Sequence, residues 1–192
     1  MSDVKYFLTS ERLGFRWWTK DDFDLACKLW GSYQVTKFID ARGQLTDEQI
    51  TEKLNTELET SEKYNIQYWP VFLIPGNEFI GCCGLRPYDL DNKIYETGVH
   101  LLPDYWGKGL ATEAIKTVME YAFSNLKAKA LFAGHNPKNT VSKRMLLKAG
   151  FSYSFTKYYP PTGLHHPSYL MTFADYSRLV KRERKKQTGK RI

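Results

Sequence analysis

Between residues 101 and 126 an extended apolar stretch gives way, through a loop with two glycines, to the strongest helical pattern in the chain. The segment reads Leu101-Leu102-Pro103-Asp104-Tyr105-Trp106-Gly107-Lys108-Gly109-Leu110-Ala111-Thr112-Glu113-Ala114. Leu110, Ala111, Ala114, Ile115, Val118, Met119, Ala122 and Phe123 recur at the spacings of one helical face, which predicts a helix from about Gly109 to Leu126. The first amides of a helix have no internal partner, and the helix dipole makes that end positive. Glycines let the backbone approach a ligand closely. Together these features make a seat for a phosphate or pyrophosphate. The plainer alternative is a strand-to-helix corner that glycine merely shapes. Two familiar phosphate signatures are excluded: Gly109 follows Lys108 where a P-loop needs Ser or Thr, and the glycine positions of a dinucleotide fingerprint are not filled.

The remaining pattern is mixed. Arg12 to Trp18 reads as a first strand, followed by a helix that starts at Asp21-Asp22 with Phe23, Leu25, Ala26, Leu29 and Trp30 on its apolar side. Thr46 and Gln49 have capping-box spacing, and Ile50, Leu54 and Leu58 give the next helix a narrow stripe. Tyr68–Ile74 and Phe79–Leu85 flank Pro75-Gly76-Asn77 as a hairpin. A polar turn over Tyr88–Lys93 leads to a strand over Ile94–Leu102. After the long helix come a short strand at Ala130–Ala133 and a helix at Thr140–Ala149 stopped by Gly150. Strands at Phe151–Tyr158 and Ser168–Phe173 enclose an aromatic loop, Tyr158–Pro167, and Asp175–Lys186 forms a terminal helix. This order gives a mixed α/β sheet. Periodicity alone leaves several such folds open.

A length of 192 residues suits one sizeable domain, and 42% apolar content excludes disorder as the main state. No apolar run is long enough to span a membrane. Met1-Ser2-Asp3-Val4-Lys5-Tyr6 lacks the pattern of a secretory signal, and three scattered cysteines suit a reducing compartment, so a cytoplasmic protein is expected. The net charge of +7 is matched by the segment Arg178–Arg191 alone, whose eight basic residues face only Glu183. The expected division is therefore a domain over 1–175 and a basic helix or tail over 176–192. That tail reads either as a solvated terminus or as an attractor of phosphate-rich partners.

Trp106-Gly107-Lys108-Gly109-Leu110-Ala111 resembles motif A of the GNAT acetyltransferase superfamily, Arg/Gln-x-x-Gly-x-Gly/Ala, with Trp106 in place of the usual first residue. Asn136-Pro137-Lys138-Asn139-Thr140-Val141-Ser142 and Lys148-Ala149-Gly150-Phe151 resemble a second block, Asn-x-x-Ser and Lys-x-Gly-Phe, of the branch that contains ribosomal-protein N-terminal acetyltransferases. Thr9-Ser10-Glu11-Arg12-Leu13 with Arg16 matches the usual first strand, so three blocks in order span roughly residues 8 to 173.

The resemblance implies a GNAT fold: a central, mostly antiparallel twisted sheet of about six to seven strands, flanked by helices, with a splayed strand pair at the acetyl-CoA site. It implies acetyl-CoA as co-substrate, no metal, and direct transfer of acetyl to a primary amine, either a protein N-terminus or a small amine. The pyrophosphate would lie on the amides of Gly107, Lys108, Gly109, Leu110 and Ala111. Leu101 and Leu102 would run beside the pantetheine arm, and backbone amides of the splayed strand, Leu102 foremost, would face the oxyanion. Asn139 and Ser142 would touch the arm near the sulfur; helix capping is the other role open to Asn139. Glu96 matches the position of the general base, and a salt-bridged strand Glu is the alternative. His100, on the same face, is a proton relay or a packed residue. The position of the usual acid, a Tyr, holds Leu146, which leaves Ser142, Tyr153 or water to protonate the thiolate. Other readings are an acyl-CoA-binding module without turnover, a ribosome- or RNA-associated protein using the basic tail, and a homodimer. His165-His166 and Cys82-Cys83 lack the spacing of a metal site or functional pair.

Overall fold

The structure, a computed structural model, describes residues 5–188; Met1–Val4 and the tail residues Lys190 and Arg191 lie outside the described residues. An open eight-stranded sheet runs in the order β1-β2-β3-β4-β5-β6-β8-β7. Its strands are β1 (Leu8–Thr9), β2 (Leu13–Phe15), β3 (Tyr68–Leu73), β4 (Glu78–Asp89), β5 (Ile94–Leu101), β6 (Ala130–Gly134), β7 (Ser152–Tyr159) and β8 (Leu164–Thr172). The helices are α1 (Phe23–Trp30), α2 (Tyr33–Thr36), α3 (Asp47–Tyr64), α4 (Leu110–Ser124), α5 (Thr140–Ala149) and α6 (Phe173–Thr188). Every neighbouring pair is antiparallel except β5 and β6.

Several expected boundaries move. The strand count exceeds the expected six to seven because the two-residue β1 pairs with β2. The first strand contracts to Leu13–Phe15, and Arg16 turns to ion-pair with Asp22 at 2.6 Å. Tyr88 and Asp89 belong to β4 rather than to the following turn: Asp89 pairs with Ile94, and the Tyr88 ring stacks on Phe132 at 4.3 Å. The aromatic loop before the last strand shrinks to a single 3-10 turn at Pro160–Thr162, because His165, His166 and Pro167 pair with Tyr158, Lys157 and Thr156. α2 had no periodic signal, being one turn long. Thr46 caps α3 through the expected box with Gln49, and α5 ends at Gly150 in the left-handed conformation.

Helices cover both faces. α4 buries Ala114, Ile115, Val118, Met119, Ala122 and Phe123 against β4, β5 and β2. α1 and α3 cover the opposite face, where Trp30 reaches His100 and Glu57 reaches Arg86. α6 docks along α4: Tyr176 stacks on Phe123 at 4.7 Å, Leu179 packs on the core, and Lys116 pairs with Glu183 at 2.5 Å. Its basic stretch therefore continues a helix whose first turns are anchored.

The feature that makes a site is the parting of β5 from β6. They pair only at Ile94–Ala130, Tyr95–Leu131 and Glu96–Phe132. Beyond that rung β6 continues with β8 alone, and β5 continues with β4 alone. The sheet forks at Glu96.

Because α4 carries the glycine loop, its packing supports the site. Ile115→Ala removes a fully buried side chain and is expected to lower unfolding free energy by about 2–5 kcal/mol, measured as a reduced urea midpoint at unchanged m-value.

Candidate functional site

β5 ends at Leu101, and a 3-10 turn over Pro103–Tyr105 leads into the loop. Gly107 and Gly109 both take positive φ, 74° and 78°, and Gly109 is the N-cap of α4. A side chain at either would be strained. Around Gly107 the space is open, with nothing within 4 Å of where a Cβ would stand. Among the described residues, the amides of Gly107, Lys108, Gly109, Leu110, Ala111 and Thr112 donate to no protein acceptor; the first amide closed by the helix is that of Glu113, on Gly109 O at 3.1 Å. These donors converge at the positive end of a fifteen-residue helix. The residues therefore fit a pyrophosphate.

Trp106 serves the loop differently. Its amide is taken by Pro103 O, and its indole Nε1 donates to Leu101 O at 2.7 Å, tying the loop back to the strand. Arg12 adds a second tie: its guanidinium donates to Lys108 O at 3.2 Å and pairs with Glu113 at 2.6 Å. Glu113 also accepts from Ser10 Oγ at 2.7 Å and from the Arg12 amide at 2.9 Å. Burial pushes the Glu113 carboxyl up, but the hydrogen bonds of Ser10 and Arg12 and the Arg12 charge outweigh it and hold it below the usual carboxylate range.

Leu102 requires a correction. Its amide donates to Ile80 O at 2.9 Å and is not available to an oxyanion. Antiparallel strands alternate bonded and outward-facing pairs. The amides of β5 turned toward the fork are therefore those of Leu101 and Val99.

On the α1–α3 face, β4 and β5 form a small grid. Arg86 stands opposite Glu96, Gly84 opposite Gly98, and Cys82 opposite His100. A Cβ on Gly84 would strike the backbone of Gln67 and Tyr68, whereas Gly98 makes room for the phenol of Tyr68, since a Cβ there would stand 2.4 Å from the Tyr68 hydroxyl. That hydroxyl donates to Glu96 Oε1 at 3.5 Å, the outer limit of a hydrogen bond. Burial raises the Glu96 carboxyl above its usual value, while Arg86, Lys157 and the Tyr68 hydrogen bond oppose the rise. His100 is packed: Trp30 Nε1, which can only donate, meets its Nδ1 at 3.3 Å, and Cys82 Sγ lies 3.7 Å away. Burial, with Lys53 and Arg86 nearby, drives its pKa well below the ordinary histidine value, so it is neutral.

Asn139 and Ser142 stand on the other side of the fork, after β6. Asn139 Oδ1 accepts from the Ser142 amide at 3.0 Å and caps α5, while the Ser142 hydroxyl has no partner among the described residues. Leu146 is buried and offers no proton. Tyr153 is exposed on the edge strand, its hydroxyl 3.1 Å from Thr156 Oγ1. His166 is buried against Tyr159 and bonded to Thr162 Oγ1 at 2.7 Å, whereas His165 faces the Tyr158 ring.

The sequence pattern of the acetyltransferase (GNAT) domain matches residues 12–152. The chain belongs to the GNAT acetyltransferase family. Its members transfer acetyl groups from acetyl-CoA, and this GNAT chain is accordingly an acyltransferase. It is 28% identical over 144 residues to the uncharacterized N-acetyltransferase p20 of Bacillus licheniformis, covering 75% of this chain and 81% of that one. A GNAT-family acetyltransferase from Bacillus anthracis superposes with a TM-score of 0.72 at 26% identity, over 85% of this chain and 95% of that one. The fold is also shared, at 14% identity and a TM-score of 0.73, with the ribosomal L7/L12 alpha-N-protein acetyltransferase RimL in complex with coenzyme A, over 85% and 95% of the two chains. No helix among the described residues is long and apolar enough to cross a membrane.

Sequence reading of this GNAT chain missed Glu57, Tyr68, Arg86 and the Arg12–Glu113 tie. Each is distant in sequence from its partner and meets it only through strand register or helix-on-sheet packing. The Glu113 tie has a pH signature. Because its folded pKa is depressed, its stabilisation is present above the unfolded value of ~4.3 and is lost as pH falls through the folded value. Glu113→Gln is therefore expected to lower the urea midpoint at pH 7 and to converge on the parent as pH falls through the depressed folded value of Glu113.

Proposed function

We propose that this chain moves an acetyl group from acetyl-CoA directly onto a primary amine, the α-amine of a peptide N-terminus or the amine of a small molecule. The observation that carries the reading is the run of unpaired amides from Gly107 to Thr112, set at the positive end of α4 beside a forked sheet. The pyrophosphate rests on the amides of Gly107, Lys108, Gly109, Leu110 and Ala111, in a loop braced by Trp106. The pantetheine arm follows Leu101 and Leu102 into the fork, with Asn139 and Ser142 on the opposite side. Glu96, at the last rung before the strands part, takes the proton of the attacking amine. A base there matters because an alkylammonium of pKa ~10.4 has almost no neutral form at pH 7. Acetyl-CoA supplies the activated thioester carbonyl, and the amides of Val99 and Leu101 face the charge that develops on its oxygen. The Ser142 hydroxyl or solvent protonates the departing thiolate, and a thiol of pKa ~8.5 leaves without a strong acid.

A second reading concerns α6. Lys181 and Arg182 are exposed among its basic residues, a surface suited to an anionic partner such as ribosomal RNA. Lys181→Glu/Arg182→Glu is the suitable test of salt-sensitive RNA binding, because truncation after Asp175 would also remove the packed Tyr176 and Leu179.

Gly109→Glu places bulk and negative charge among the amides and is expected to abolish acetyl-CoA binding in calorimetry; undiminished affinity would remove the loop from the site. Glu96→Gln is expected to lower turnover at pH 7 by about 10²-fold or more while leaving acetyl-CoA affinity largely intact. Mass-shift screening of peptides and small amines with acetyl-CoA identifies the acceptor.

A further inference from the structure

Three polar groups stand behind Glu96, none of them required to touch coenzyme or amine. Glu57, on α3, is fully buried. Its Oε2 accepts from the Tyr68 amide at 2.9 Å, and its Oε1 pairs with the Arg86 guanidinium. That guanidinium lies 4.3 Å over the Tyr68 ring and stands directly across the β4–β5 ladder from Glu96. The Tyr68 hydroxyl, seated over Gly98, completes the circuit at Glu96 Oε1. Arg86 Nε is buried without a hydrogen-bond partner among the described residues, so packing for a plain structural salt bridge is incomplete. Taking a carboxylate fully, and a guanidinium largely, out of water is costly, and an apolar pair of similar volume is often no less stable. Fold stability alone does not explain the pair.

We infer that Glu57 and Arg86 are positioning residues for Glu96: the helix carboxylate clamps the guanidinium, and the guanidinium, packed on the Tyr68 ring across the ladder from Glu96, holds the phenol that meets the Glu96 carboxylate at the fork. The inference rests on the reading of Glu96 as the base. It adds that α3, on the face opposite the glycine-loop helix, sets how readily that base takes a proton. The groups facing Glu96 are Tyr68 from β3, Arg86 from β4, Glu57 from α3, and Lys157 and Tyr159 from β7, with His100 further along β5. Lys53, one helical turn before Glu57, adds positive charge near Arg86. Among these, Arg86 is the largest influence favouring the ionised form of Glu96, and the Glu57 charge opposes it more weakly. Removing one or both therefore moves Glu96 in opposite directions.

The titration reads Glu96 directly and needs no acceptor. The full chain is labelled with glutamate carrying ¹³C at the side-chain carboxyl, and the resonance lost in Glu96→Gln is followed against pH. Glu57→Gln leaves Arg86 uncompensated, and the Glu96 midpoint is expected to fall. Glu57→Gln/Arg86→Met replaces the pair by neutral side chains of similar volume, and the midpoint is expected to rise by about one pH unit. Arg86→Lys keeps the charge and is expected to stay nearer the parent than the double variant. Circular dichroism melts confirm that each variant is folded; Arg86→Met alone is avoided because it strands the buried Glu57. Coincident midpoints in folded variants, or shifts of the same sign in Glu57→Gln and the double variant, would overturn the inference. Opposite shifts together with full turnover by Glu96→Gln would instead keep the coupling and remove Glu96 as base, which separates the two failures.

Discussion

The site depends on the separation of two parallel strands after three rungs. Inside a sheet, every backbone amide and carbonyl finds a partner on the next strand, and leaving such groups without one is costly. β5 and β6 give up that pairing beyond Glu96 and Phe132. The outward amides of Val99 and Leu101 then face a gap that an extended, hydrogen-bonding ligand can enter. The same parting brings β5 out to the loop whose own amides, from Gly107 to Thr112, also lack protein partners. One open strand edge and one open helix end thus meet along a single path. Over the five residues from Glu96 to Leu101 that path covers about 17 Å of strand rise.

The two faces of the sheet divide the work. On one, α4 is fixed by an apolar stripe and by Arg12 and Glu113, so the loop's shape is set by packing and by ion pairing across more than a hundred residues of sequence. On the other, the groups near Glu96 are polar, Glu57 and Tyr68 buried and Arg86 and His100 half-buried. Low local polarity makes a carboxylate more basic, and a guanidinium opposite it restrains that rise. On the proposed reading of Glu96 as base, residues that a substrate need never touch tune it.

The parts of this arrangement that are local in sequence were legible in it. The α4 stripe, the Thr46–Gln49 cap and the limits of α5 at Thr140 and Gly150 depend on neighbours within one or two turns. Gly107 and Gly109 pointed to the loop for the same reason. Elements set by tertiary partners were not legible. β4 runs on through Tyr88 because Phe132 waits on β6, and β8 starts early because β7 supplies a partner for His165 and His166. The Leu102 amide could be assigned to an oxyanion only while its bond to Ile80 was unknown. Gly84 and Gly98 look like unrelated strand glycines until register sets them face to face under Tyr68.

Amide hydrogen exchange on the intact chain, with and without saturating acetyl-CoA, measures the central claim most directly. Slowed exchange concentrated at Gly107 through Thr112, with a further gain at Val99 and Leu101, is the expected result. Exchange at those amides that stays as fast with coenzyme bound as without it would contradict the seat, whatever protection appeared elsewhere.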